Sequence, residues 1–419
     1  MTKAINSPAI IVYYVSIILL MLSTMGTSWL RPLPYFVFVF FAFFTTVLSV
    51  PNKLFEYDSK TVKILAIYIV IAFVLTTFSP YFSLFIILQN FAHATVIVGV
   101  ILLKDCYKAR LFDLFVKALS VILLITIPAW LLFLKGFPFS HGAYIDVGDG
   151  FHFIHDYTFF VMSDIGEGFD YPRFSSVFLE PGWIGTICCF TIFGLGLNFR
   201  KIPTWLCLLG LLLSMSLSAV VNLILCVLLW IWLTSKHRLV LLGCFAFLLI
   251  GVTVFATSYK KGDNIINQLV VERLIFDEDL GIAGNNRTND DFDSRFEDVV
   301  RGPEKWFGIG HEVNKEFMEA NDWFNHSSGI KKDLMCNGFF GTGLYMLLLI
   351  MLLIKFRCKE GFVFFVCFIM ASFIRDMWRS DCYLILYIVS LCILYVECRI
   401  TYLKPNKLRN VRIVKAKSH

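Results

Sequence analysis

The chain has 419 residues, 58% of them hydrophobic and only 16% charged, with a formal net charge of +6 and a mean hydropathy of +0.73. Soluble domains carry about 25% charged residues, so composition argues against a water-soluble enzyme. It also excludes disorder, because the apolar content is too high and Pro and Gly are too sparse.

The apolar residues fall into blocks of roughly 15–22 residues between short charged loops, as a hydrocarbon core about 30 Å thick requires of helices. The expected class is an all-α polytopic membrane protein. In chain order, spans are predicted near residues 8–26, 33–50, 61–79, 82–103, 114–135 and 177–197, then 203–217, 218–234, 239–258, 333–355, 360–374 and 382–398, twelve in all. The chain thus divides into N-terminal helices (1–135), a first polar loop (136–176), central helices (177–258), a large polar loop (259–332), C-terminal helices (333–398) and a basic tail (399–419). A polar insert of that size exceeds what a connector needs and points to function.

The apolar run 205–233 has 29 residues, about 43 Å as one helix and longer than the core. Two short helices with a turn near residues 216–218 are expected instead, because a single span would invert every downstream loop. Loop charge then sets orientation. One set of loops, with the tail, Lys3 and Lys117, holds 22 basic residues against six acids; the opposite side holds 15 against 25. Both termini are expected in the cytoplasm and both long loops outside.

The first apolar stretch lacks a small-residue cleavage site and reads as a retained anchor. All 12 cysteines lie outside the two long loops, which argues against a disulfide-stapled external domain. No Cys/His spacing resembles a zinc site, and no internal repeat, phosphate-cradling Gly loop or nucleic-acid motif is evident, so no metal or cofactor is expected. The basic tail reads as a topology signal, with anionic lipid headgroups as the other reading.

The spans are nearly free of charge, whereas ionisable residues gather in the long loops. That favours chemistry at the outer membrane face over transport through the bundle. Three segments stand out. In RFSSVFLEPGWIG (173–185), Arg173 sits where the first loop re-enters the membrane and Glu180 a turn or two inside the next helix; they either pair with each other or meet substrate. In GNNRTNDDFDSRFEDVVRGPEKWFGIGH (284–311), Phe292, Phe296 and Val300 recur at i, i+4 and i+8 and predict a short amphipathic helix over 291–300. On it Arg295 points away from the acids, while Arg287 and Arg301 either pair with neighbouring carboxylates or bind substrate. In FNHSSGIKKDLMCNGFFGTGLY (324–345), Asn325 and His326 precede a helix start with Ser327 and Ser328 as caps. That helix leads into a span with Gly338, Gly341 and Gly343, which suit close helix packing.

Together these segments resemble the O-antigen polymerase/ligase family of bacterial envelope glycosyltransferases. The likeness lies in an Arg-led element before a span (Arg173 to Pro181), a Ser-Arg…Trp…Gly-Ile-Gly element in a long loop (Ser294, Arg295, Trp306, Gly308, Ile309, Gly310), and a His-Ser…Gly-x-x-Gly element entering a span (His326, Ser327, Gly338, Gly341). It covers roughly residues 170–345. The resemblance implies a bundle of about a dozen helices in the inner membrane, with the active site facing the periplasm. It implies a metal-independent glycosyltransferase whose partners are undecaprenyl-diphosphate-linked oligosaccharides, as donor and acceptor, and membrane lipids; it leaves room for a chain-length regulator.

Carried over, Arg173 and Arg295 clamp the leaving diphosphate and His326 is the base, with Arg287, Arg301, Glu180 and Asn325 as substrate contacts. Ligases of the family tend to carry Ser-Arg-x-Gly/Ala between two central spans. Here that place reads Ser216, Leu217, Ser218, Ala219, which favours polymerase over ligase. A lipid-linked oligosaccharide flippase is the rival from another class.

Overall fold

The computed structural model describes residues 8–52, 54–77, 84–140, 144–146, 153–163, 172–264, 267–272, 276–277, 281–282, 290–320, 329–375 and 380–402. Its helices in chain order are α1 (Pro8–Thr24), α2 (Tyr35–Ser49), α3 (Ser59–Thr77), α4 (Leu84–Leu102), α5 (Asp105–Leu134), α6 (Pro181–Gly194) and α7 (Ile202–Ser214). There follow α8 (Leu217–Thr234), α9 (Arg238–Ser258), α10 (Asp290–Arg301), α11 (His311–Ala320), α12 (Gly329–Lys355), α13 (Lys359–Ile374) and α14 (Asp381–Tyr402). All but α10 and α11 coincide with the apolar blocks. By length and composition, five can cross a membrane: α5, α8, α9 continued through Gly262, α12, and α14 up to Arg399. Helices α1, α2, α6 and α7 are apolar but shorter.

The run 205–233 is divided as its length requires. Helix α7 ends at Met215, which takes a left-handed conformation (φ 48°), and extended Ser216 starts α8. Helix α14 is the axis of the bundle, since every residue from 382 to 392 is buried. Its Tyr387 packs on Phe364 and Phe368 of α13, and Phe190 of α6 lies against Tyr383. At the other extreme is α9, of which only Ala256 is buried.

The loops sort onto two ends. At one end Lys355 pairs with Asp58 at 3.4 Å, Lys201 with Glu397 at 2.9 Å, and Lys359 donates to the Leu233 carbonyl. At the other, the Ser28 amide donates to the Val177 carbonyl, Trp29 Nε1 to the Thr158 carbonyl, and Arg173 Nε to the Ser214 carbonyl. Each of these pairings joins segments that the charge count assigns to the same side.

Two sequence expectations need correction. The first long loop contains a small antiparallel sheet, β1 (Tyr144–Asp146), β2 (Phe153–Asp156) and β3 (Val161–Ser163), in the order β1-β2-β3; β4 (Phe276–Asp277) and β5 (Gly281–Ile282) form a second hairpin in the large loop. The sixth span, expected from residue 177, begins at Pro181, whose fixed φ suits a first helical position. Residues 174–178 are not helical yet are fully buried. They are held by Ser28, by the Val161 amide on the Ser176 carbonyl, and by Thr126 Oγ1 on Ser176 Oγ at 2.9 Å.

Candidate functional site at the acidic-loop end

The first segment is a buried plug rather than a helix start. Phe174 packs edge-on against Trp130 of α5, and half-buried Arg173 reaches over to the end of α7, where its Nε meets the Ser214 carbonyl at 3.1 Å. The reading in which Arg173 pairs with Glu180 is not met among the described residues, where Glu180 takes another partner. Glu180 lies at the N-cap of α6 rather than inside it, and both its oxygens accept from Arg375 at 2.7 Å each. The reason is local. A carboxylate at a helix N-terminus is favoured by the helix dipole, and Gly182 one turn in carries no side chain. A Cβ there would lie 1.6 Å from Arg375 Nη2, so glycine alone lets the guanidinium lie across that turn.

Arg375 follows α13 and its side chain is 8% exposed; its Nε is buried with no hydrogen bond among the described residues. Sequence reading passed over it, although an arginine ending an apolar block in FIRDMWRSD was the available signal.

The amphipathic helix of the second segment is α10. Its buried strip is Phe292, Phe296 and Val299, against Met335 of α12 and Phe317 of α11. Val299 therefore takes the place expected of Val300, as a 3.6-residue turn allows at i+7. Asp293 pairs with Lys331 of α12 at 2.6 Å. Arg295 is half-buried. Its guanidinium lies 5.2 Å over the Phe317 ring, and its Nε is buried with no hydrogen-bond partner among the described residues. Arg301, by contrast, is 80% exposed and pairs with Glu297 one turn back, the solvated arrangement left open for it above. Arg287, Asn325, His326 and Ser327 lie outside the described residues.

The Gly-Ile-Gly element and the start of the next span meet backbone to backbone. Gly338 (φ +62°) breaks the regular course of α12, and there the carbonyls of Met335 and Cys336 accept the amides of Ile309 (2.8 Å) and Gly310 (3.0 Å). A Cβ on Gly308 would lie 2.4 Å from the Cys336 carbonyl, and one on Gly338 2.4 Å from that of Trp306. Two glycines at positive φ thus permit a contact that side chains would forbid. Beside this seam Asp333 is buried and accepts from Asn337 Nδ2 (2.9 Å) and Thr342 Oγ1 (2.7 Å). Asn337 in turn reaches His311 Nε2 at 3.3 Å. This polar group was missed, although Asp333 and Asn337 stand at i, i+4 on α12; His311, on α11, lies beyond what that spacing shows.

The three segments are therefore joined in space. Gly329 at the start of α12 packs on the backbone of Arg375, where a Cβ would lie 2.2 Å from the carbonyl oxygen, and Arg375 grips Glu180 of the first segment. Chemically, these segments offer guanidinium groups suited to phosphate oxygens, with the buried Asp333 carboxylate and the exposed His311 imidazole nearby.

One ionisable pair in the apolar helices was not foreseen. His93, midway along α4, bonds through Nδ1 to Asp381 at the start of α14, with Tyr35 OH 3.5 Å from the same nitrogen. Ionisable pairs inside apolar helices are costly and usually functional or structural.

No family model, curated protein or solved structure matches this chain.

Proposed function

We propose that the chain is a polysaccharide polymerase of the inner membrane. It transfers a growing glycan from its polyprenyl diphosphate to the terminal sugar of a new lipid-linked unit. The twelve apolar helices are read as spans, with both termini in the cytoplasm; the segregation of the basic loops to one end supports this orientation under the positive-inside rule.

The observation that carries the reading is Arg295: a guanidinium seated on an aromatic ring, with a buried Nε that has no hydrogen-bond partner among the described residues, in a loop fastened to α12. In the proposed reaction the acceptor hydroxyl oxygen bonds to the anomeric carbon and its proton passes to a histidine, His326 by the family resemblance. The bond from that carbon to the diphosphate oxygen breaks, and the diphosphate leaves with the electron pair. Arg295 and Arg173 stabilise that developing charge.

A second reading has its own support. The pair of His93 with Asp381 is the kind of intramembrane group that transporters use, which favours a flippase for lipid-linked oligosaccharide. A polysaccharide gel from cells lacking the gene, beside a complemented strain, separates the readings. Core bearing a single repeat unit supports the polymerase. Bare core with long polymer on the lipid carrier means ligase, and bare core with single units held on the cytoplasmic leaflet means flippase.

A further inference from the structure

At the basic end of the bundle, far along the chain from any loop motif, Cys358, Glu360 and Cys398 come together. One donor atom from each lies within 4.8 Å of the other two. Cys358 is the N-cap of α13, where its Sγ accepts the Gly361 amide at 3.2 Å. Glu360 stands in the first turn of the same helix, and Cys398 near the end of α14 meets it at 2.9 Å. All three line one cavity, together with Arg357, Lys359 and Arg399.

We propose that these three residues form a binding site for a thiophilic divalent cation of the zinc class. Donors sharing a tetrahedral ion at about 2.3 Å sit roughly 3.5–4 Å apart, so taking up an ion needs only shifts below about 1 Å. These are inward for the wider separations and outward for Cys398 and Glu360, where the thiol proton of Cys398 is given up. Sulfur donors select for zinc and cadmium over magnesium or calcium. Burial pushes the Cys358 thiol up and the Gly361 amide offsets part of that rise; a coordinating cation deprotonates such a thiol outright. Two thiolates and a carboxylate around a divalent ion leave one negative charge, which the surrounding cations offset; water from the cavity supplies the fourth position. On the orientation proposed above, this end faces the reducing cytosol, where paired thiols stay unoxidised. An ion here ties the start of α13 to the end of the axial helix α14.

The test is a Cd2+ titration of the purified full chain in detergent, followed by the thiolate-to-cadmium absorbance. The wild type binds one Cd2+ per chain through thiolates, and Zn2+ displaces it. Cys358→Ser and Cys398→Ser weaken binding about 100-fold or more and Glu360→Gln about 10-fold, while Cys106→Ser, at an exposed lone cysteine, changes nothing. A measurement on the wild type alone guards against misfolded variants: Zn2+ protects Cys358 and Cys398 from alkylation, mapped by mass spectrometry. The proposal fails if neither cysteine is protected, if the serine variants bind like wild type, or if the two cysteines are a disulfide in rapidly alkylated membranes.

Discussion

Arg375 holds Glu180 with both terminal nitrogens, at 2.7 Å each, and so fastens the turn after α13 to the first turn of α6. The arginine side chain is 8% exposed and the glutamate 42%. Removing one partner of a buried pair costs about 3–5 kcal/mol because the other charge is stranded. Arg375→Ala should therefore lower stability by about 3 kcal/mol, the lower end, since Glu180 keeps some water. The measurement is thermal unfolding of the detergent-solubilised variant. Arg375→Met with Glu180→Gln should lose less than Arg375→Ala alone; an equal or larger loss would mean that the pair itself contributes most of the stability.

Gly308 and Gly338 hold the large loop on α12 by close backbone approach. Gly308→Ala and Gly338→Ala each place a methyl group on a carbonyl 2.4 Å away, at positive φ. Overpacking and strain of this kind cost about 1–3 kcal/mol each. Loss of the seam should free the loop, so limited proteolysis is expected to cut within residues 290–320 in both variants and not in the wild type. Gly343→Ala meets nothing within 4 Å and serves as the matched control.

Arg295 and Arg301 stand six residues apart on one helix but in opposite settings. Arg295→Ala, and Arg295→Lys to a lesser degree, should abolish long polymer, because lysine keeps the charge and loses the planar fork. Arg301→Ala removes one exposed pair, and its effect on stability should stay within about 0.5 kcal/mol with polymer length unchanged. Ladder length on a polysaccharide gel, at matched expression, reads both. Full-length polymer from Arg295→Ala would remove Arg295 from the site.

The pair of His93 with Asp381 distinguishes a structural from a transport role. Asp381→Asn strands a histidine that is 18% exposed and should lower stability by about 3–5 kcal/mol. If the pair is structural, His93→Leu combined with Asp381→Leu should recover part of the loss in unfolding assays and retain normal glycan products. Recovered stability with single units trapped on the inner leaflet would assign the pair to transport.

Much of the fold is legible in the residues because lipid imposes a length on each apolar block and the basic loops impose a side. Even the break at Met215 is foreseeable, since 29 apolar residues are too many for one passage and too few for two long ones. The plug at 174–178 is not legible. Val177 and Phe178 look like the start of a span; Pro181 at the first helical position marks the later start, but the burial of 174–178 against the α1 end, α5 and α7 depends on contacts that no local pattern shows. The site divides in the same way. Arg295 can be placed by the helical period of its own segment, whereas its seat on Phe317 depends on α11 folding back. Arg375 with Glu180, His93 with Asp381, and Cys358 with Cys398 are contacts across 195, 288 and about 40 residues; periodicity carries no information about such partners.

Helix α9, exposed along nearly its whole length, leads into the large loop from one side, while α12, locked by the glycine seam, receives it on the other. The stretch of loop that carries Arg295 therefore takes its position from α12, through the amides of Ile309 and Gly310 on the carbonyls of Met335 and Cys336. Its register is inherited from the helix that follows it in the chain, and a displacement of the start of α12 carries the arginine with it.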